Sequence, residues 1–305
     1  MAVQISKVFY PESFQDLFSA WSDFPNAVLY AGGSEFMRRQ GRRVPVLPPN
    51  IISLDKIEEL KRISRTERYL EIGAMARLNQ IINLGKIVPE ALLLCLESIS
   101  GPPLRNFVTI GGNICNRELR LDLAAPMNVL DAQFELRTAS AARWISASRF
   151  LSIQDGIIDL KGPKRKYHGP SGLGSHEILT RIRVPLEPWT YTWYHKFRNP
   201  GNDNTGGSIL FMIRNQKNIL TNIRVVYSGK TTLREKNCEA MFEGKQLPLS
   251  RNQVEVFMDK WRNFLSTFEN NEDSVYPGEN ENFNPELTKT QILNFIETRL
   301  LHISS

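Results

Sequence analysis

Two short segments, Ala31-Gly32-Gly33-Ser34-Glu35 and Thr109-Ile110-Gly111-Gly112-Asn113, carry the residue types from which an anion cradle is built. Each sets adjacent glycines behind an apolar run, Val28-Leu29-Tyr30 in the first and Phe107-Val108 in the second. Each follows them with a small polar residue. Glycine tolerates φ > 0 and lets a ligand touch the main chain. Successive N–H groups in such turns line a nest for an anion. One Gly-Gly pair is ordinarily just a turn. Two of matching composition point to two loops closing on one phosphate-bearing ligand, with the Ser34 and Thr109 hydroxyls as further donors.

The remaining reactive side chains are scattered. Cys95, Cys115 and Cys238 form no CxxC and sit in no local His/Cys pattern, so they read as buried or incidental thiols. An odd count argues against a disulfide framework. An iron–sulfur cluster usually takes four thiolates, so three cysteines cannot supply one. His168, His176, His195 and His302 make no spaced cluster. No metal site is expected.

The net charge is +6, and part of the excess lies in residues 38–43 and 161–166. Neither run is interleaved with the aromatics that single-strand nucleic-acid binding uses. Solvated charge is the better reading, with a partner subunit or an anionic cofactor next, and no nucleic-acid partner is expected. No apolar run reaches the roughly 20 residues of a membrane span. Residues 1–13 lack the apolar centre of a signal peptide. The expectation is a cytoplasmic protein without membrane attachment.

The elements that must hold the glycines follow from periodicity. A strand is expected over 3–9 and an amphipathic helix over 14–21, with Phe14, Leu17, Phe18 and Trp21 on one face. Strands over 27–30 and 50–54 follow. A helix is expected over 57–63, a strand over 69–73, helices over 76–82, 89–99 and 122–130, and a strand over 133–137. Residues 155–176 read as a loop, and 178–184 alternate as a half-buried strand ended by Pro185. Strands over 189–197, 207–214 and 218–227 precede helices over 254–268 and 285–302. An acidic, Asn-rich loop over 269–284 joins those helices. The elements lack a strict βαβ period, so the fold class is α+β. The expected units are 1–55, 56–188 and 189–305.

Around the second glycine pair the pattern becomes specific. It runs Arg105-Asn106, then Thr109-Ile110-Gly111-Gly112-Asn113, with Asp122 nine positions after Asn113. This resembles the FAD-binding medium subunit of the molybdenum hydroxylases, the xanthine dehydrogenase and carbon monoxide dehydrogenase flavoprotein family. Residues 31–35 resemble that family's first FAD loop. Glu177-Ile178-Leu179 and Tyr194-His195-Lys196-Phe197-Arg198 are similar to motifs around the start of its C-terminal domain.

The resemblance implies a two-subdomain FAD-binding fold with a C-terminal α+β domain. It implies FAD contacts from Ala31, Gly32, Gly33, Ser34, Glu35, Phe36, Thr109, Ile110, Gly111, Gly112, Asn113, Asp122, Leu179 and Lys196. A carboxylate cannot usefully face a phosphate, so Glu35 and Asp122 are expected to accept from ribityl, ribose or backbone donors. Asp122 read alone serves equally well as an N-cap for the helix ahead. Leu179 would lie beside the flavin and Lys196 near its ring, where a cation favours charge on reduced flavin. Alternatively, Lys196 is a solvated lysine on an edge strand. Arg105 and Asn106 would brace the turn before the second loop.

The resemblance further implies an oxidoreductase subunit with no catalytic side chain of its own. It would pass electrons from [2Fe–2S] clusters of a small subunit through FAD to NAD or another acceptor. The substrate chemistry would lie on a molybdopterin-binding large subunit, on a separate chain. Relatives carry other residues just ahead of Asp122, a shorter connection over 161–175 and a different run over 198–203. These departures bear on which oxidant the flavin serves. Two alternatives stand beside this reading, a stand-alone FAD oxidoreductase and a flavin-free scaffold subunit.

Overall fold

The computed structural model describes residues 6–40, 46–116, 122–151, 173, 176–198, 205–229, 232–267 and 285–304. The runs 161–166 and 199–203, the loop expected over 269–284 and nearly all of 155–176 lie outside them. The chain divides by contacts into two units. The first takes Met1–Val88, Ile99–Arg117 and Asp131–Leu186, and the second takes Pro89–Ser98, Glu118–Leu130 and Glu187–Ser305.

The first unit opens with a parallel sheet of β1 (Lys7–Phe9), β2 (Val28–Tyr30) and β3 (Asn50–Ser53), in the order β1-β3-β2. Helix α1 (Phe14–Asp23) starts where the Ser13 hydroxyl accepts the Asp16 N–H at 3.1 Å, satisfying one of the four orphan amides of a helix start. Its Leu17 is fully buried among Ile52, Leu54, Ile57 and Leu60, a burial that contributes about 2 kcal/mol. Helix α2 (Ser34–Gln40) follows the first glycine pair directly.

An antiparallel sheet completes this unit, in the order β4-β5-β8-β6-β7. Its strands are β4 (Ile63–Arg65), β5 (Tyr69–Gly73), β6 (Gln133–Arg137), β7 (Ala142–Ser146) and β8 (Ile178–Pro185). The helix expected over 57–63 is a single 3-10 turn, Glu58–Leu60, running into β4. Its apolar residues Ile57 and Leu60 sit one short turn apart, enough to bury both without a longer helix. Helices α3 (Leu78–Ile82), α5 (Pro102–Arg105) and α6 (Ile110–Cys115) belong to the same unit, as does the short α8 (Ala147–Phe150).

The second unit is built on a four-stranded antiparallel sheet, β12-β11-β10-β9. Its strands are β9 (Tyr191–Arg198), β10 (Thr205–Gln216), β11 (Ile219–Ser228) and β12 (Thr232–Leu233). Helices α9 (Lys236–Phe242), α10 (Arg251–Ser266) and α11 (Pro285–Ser304) supply Phe242, Phe257, Trp261, Ile292 and Ile296 to one apolar core with Ile209, Phe211 and Val225 of the sheet. Two segments from earlier in the chain, α4 (Glu90–Ser98) and α7 (Ala124–Val129), belong to this unit and pack against β9 and β11 respectively.

Electrostatics fasten α7. Arg234 donates to the Asn128 carbonyl at 2.8 Å and Arg224 to the Val129 carbonyl at 2.6 Å. Cations suit the exposed carbonyls and partial negative charge of a helix C-terminus. Glu239 holds Arg234 at 3.0 Å and accepts the Val225 N–H at 2.9 Å. Burial pushes the Glu239 carboxyl above its ordinary range, against the pull of Arg234, the Val225 N–H and Arg224. Glu239→Ala would strand buried guanidinium charge, and removing one member of such a pair costs about 3 kcal/mol. Thermal unfolding of that variant is expected to show a midpoint lowered by several degrees, and an unchanged midpoint would contradict the tether.

Candidate functional site

The two glycine segments touch. Gly32 packs its Cα face directly on the main chain of Phe107 and Thr109, and a Cβ at Gly32 would overlap the Phe107 carbonyl oxygen. Ala31 and Gly112 are neighbours across the same junction. Gly111 answers a different need: its Cβ would lie 2.7 Å from both the Ala74 carbonyl oxygen and the Ala74 Cβ. The side-chain-free position lets α6 seat against the turn after β5, where the Gly111 N–H donates to the Ala74 carbonyl at 2.8 Å.

The second segment is therefore not an open nest of amides. It is the first turn of α6, capped by Thr109, whose hydroxyl oxygen accepts the Gly112 N–H at 3.1 Å. The Asn113 N–H goes to the Thr109 carbonyl and the Ile110 N–H to the Ala76 carbonyl, both at 3.0 Å. What this segment keeps for a ligand is side-chain capacity: the Thr109 hydroxyl proton and the Asn113 amide. Asn113 Oδ1 is buried and meets no hydrogen-bond donor among the described residues. A buried polar atom left unpaired costs about 1–3 kcal/mol, so such atoms ordinarily belong to a partner.

The first segment has amides to offer. The N–H groups of Gly32, Gly33 and Ser34 donate to no acceptor among the described residues. Ser34 begins α2, whose first-turn amides lack intrahelical partners. Glu35 is held by Arg38 through two bonds of 2.6 and 2.7 Å. Its carboxylate is thus compensated locally. Phe36 stands edge-on to Tyr30, with ring centroids 6.2 Å apart.

The turn before the second segment is braced. Arg105 donates to the carbonyls of Ile99 and Ser100, at 2.8 and 3.0 Å, and Ser100 sits at φ 52°. Asn106 accepts from the Asn79 side chain at 2.7 Å. Leu179 is buried on β8 opposite Leu136 of β6.

In the second unit, Asp122 and Lys196 are partners. Lys196 Nζ lies 2.7 Å from Asp122 Oδ1, with the two side chains 19% and 21% exposed. Asp122 is not a helix cap: Leu123 occupies the N-cap of α7 and no side chain caps that end. Nor is Lys196 solvated, although β9 is an edge strand, because Asp122 turns it inward. Composition carries no signal for this pairing, since the two residues are far apart in sequence.

A family model described as the FAD binding domain in molybdopterin dehydrogenase matches residues 3–187. Xanthine dehydrogenase 2 of Arabidopsis thaliana is 27% identical over 258 residues, covering 77% of this chain and 18% of that protein. The xanthine dehydrogenase FAD-binding subunit of Escherichia coli O157:H7 is 28% identical over 176 residues, 57% of this chain and 55% of that one. The chain thus spans about half of that bacterial subunit and under a fifth of the plant enzyme. The fold is that of a chain in carbon monoxide dehydrogenase from Hydrogenophaga pseudoflava, with a TM-score of 0.76 at 21% identity over 100% of this chain and 98% of that one.

The chain belongs to the family of the FAD binding domain in molybdopterin dehydrogenase, and its cofactor is FAD. The residues present fit that group. The open amides of 32–34 suit a pyrophosphate, and the orphaned Asn113 Oδ1 awaits a hydroxyl or N–H donor.

Gly32→Ala is expected to weaken FAD binding about tenfold or more, because the added carbon meets main chain that cannot yield. Titration of flavin fluorescence measures it, and parental affinity would contradict the junction. Burial, reinforced by the Asp122 carboxylate, pushes the Cys95 thiol far above its ordinary value. Burial with Glu235 and Glu239 pushes Cys238 up to about 12. Since the thiolate is the reactive form, neither is expected to label with a maleimide at pH 8 until the chain is unfolded, as peptide mass mapping would show.

Proposed function

We propose that this chain is the FAD-carrying, electron-transferring subunit of a multi-subunit molybdenum hydroxylase. It takes electrons from [2Fe–2S] clusters of a partner subunit and delivers them through FAD to NAD or another acceptor. The substrate would be oxidised on a molybdopterin-binding large subunit. The observation that carries this reading is the family match over residues 3–187, supported by the Gly32–Phe107 junction, at which the two glycine segments meet. The bacterial relative named as a xanthine dehydrogenase FAD-binding subunit supports the subunit role.

FAD, when bound, supplies a carrier able to exchange electrons singly or in pairs. The chain's own residues bind and orient it. In this reading the amides of Gly32, Gly33 and Ser34 and the hydroxyls of Ser34 and Thr109 donate to the pyrophosphate. Asn113 Oδ1 accepts from a cofactor hydroxyl or N–H. Ala31, Phe36, Ile110, Gly111, Gly112 and Leu179 shape the apolar and main-chain wall. Glu35, fixed by Arg38, and Asp122, fixed by Lys196, accept from cofactor donors with their remaining lone pairs. Lys196 then acts as half of an ion pair and not as a bare cation. No proton transfer is asked of a side chain.

The three cysteines of these 305 residues are fewer than the four thiolates a [2Fe–2S] cluster takes, so the proposal places the clusters outside this segment. Among the described residues no helix is long and apolar enough to cross a membrane. A cytoplasmic location remains part of the proposal.

Asn113→Leu is expected to lower FAD affinity by about fivefold or more while leaving the melting temperature of the cofactor-free chain intact or raised, because an unsatisfied polar atom is removed. In the assembled complex, the FAD-depleted form should still reduce its iron–sulfur clusters with substrate, seen by their electron paramagnetic resonance signal. It should lose turnover with the terminal acceptor. Full turnover without FAD would overturn the relay, and a chain that copurifies with its partners but never takes up FAD would mark a scaffold instead.

A further inference from the structure

Behind the Asp122–Lys196 pair lies a set of polar side chains that the FAD reading does not use. Cys95 is fully buried on α4, and its thiol donates to the main-chain carbonyl of Asp122 at 2.9 Å. Ser98, one helical turn on, donates its hydroxyl to the Cys95 carbonyl at 2.7 Å. That hydroxyl has one proton, so the 2.8 Å contact between Ser98 Oγ and the Tyr194 phenol runs the other way, with Tyr194 donating. Tyr194 is two residues before Lys196 on β9 and therefore on the same face of the strand. Burial raises the Tyr194 phenol far above its ordinary value, so the donor keeps its proton.

The network is uncharged and directional, and every proton in it has an acceptor. One end grips the main chain of Asp122 and the other fixes the strand face that carries Lys196. We propose that Cys95 and Tyr194 are positioning residues for FAD, acting through Asp122. The thiol holds the Asp122 main chain and the phenol locks β9 to α4, so that the carboxylate and the ammonium meet in one orientation and present a compensated pair to the cofactor. This rests on the reading above that Asp122 contacts FAD.

The competing account is that these groups only fill and stabilise α4 against β9. A double-mutant cycle on the full chain separates the two, with the FAD dissociation constant as readout and the visible circular dichroism of bound flavin as a second. Asp122→Asn alone tests the underlying reading and is expected to weaken FAD about tenfold. Cys95→Ala and Tyr194→Phe are each expected to weaken FAD about fivefold in the parental background and less than about twofold with Asp122→Asn already present. Cys95→Ser is the rescue: it leaves nearly the same void as alanine but restores a donor to the Asp122 carbonyl, so affinity and dichroism should return towards the parent.

Equal penalties in both backgrounds, or Cys95→Ser binding as weakly as Cys95→Ala, would overturn the positioning role while leaving the FAD reading in place. Asp122→Asn with parental affinity would overturn the contact of Asp122 with FAD, and the positioning role with it. Should Cys95→Ala fail to fold, Tyr194→Phe, which keeps the ring, carries the cycle alone.

Discussion

The first unit depends on one main-chain contact, the bare Cα of Gly32 against the Phe107 carbonyl. Two crossings meet there: the turn from β2 into α2 and the chain running through Thr109 into α6. The glycine-segment groups proposed to meet FAD lie around that contact. The open amides of 32–34 stand on one side of it, and the Thr109 hydroxyl and the Asn113 amide on the other. Main chain on main chain leaves no rotamer freedom to absorb an error. The spacing between the two donor sets is accordingly defined by covalent geometry and close packing, as preorganised recognition of a large anionic cofactor requires.

Much of this was legible in the amino-acid sequence, and the reasons for the rest are physical. Strands β3, β5, β6, β8 and β11 lie close to where the sequence places them, because each carries apolar residues that are buried in a core. The Thr109–Asp122 block leads to FAD, in agreement with the family match. What the glycines are for was less legible. Of Gly32, Gly33, Gly111 and Gly112, only Gly33 has a positive φ, 70°. Gly32 and Gly111 are glycine because other main chain occupies the place of a side chain, a fact that resides in distant residues, Phe107 and Ala74. The 3-10 turn at 58–60 mimics a longer helix because Ile57 and Leu60 satisfy both spacings. Strand β7 and helix α9, like the short helices α2, α5, α6 and α8, lie outside the sequence expectations. β7 exposes most of its side chains, and α9 is held through Glu239 and Arg234 as well as by an apolar stripe.

In the second unit, sequence order and packing diverge. Segments 89–98 and 122–130 flank the second glycine segment in the chain, yet they belong with the C-terminal sheet. Nothing in their composition announces this. α7 is apolar but for Asn128, and its partners are guanidinium groups reaching for its last carbonyls. The pairing of Asp122 with Lys196 depends on the same arrangement. A motif that reads locally as an aspartate ahead of a helix acquires its electrostatic character from a strand much later in the chain.

Strand β9 joins two duties on its opposite faces. Trp193 and Phe197 face the apolar core beneath α11, while Tyr194 and Lys196 face α4 and Asp122. Because side chains alternate strictly, gain or loss of a single residue within 193–196 would exchange the faces along part of the strand. An aromatic would then meet the carboxylate while an ammonium or phenol entered the core. The strand is intolerant of length change in a way that substitution tables do not capture. Recombination between homologous chains should therefore place its crossovers outside this strand.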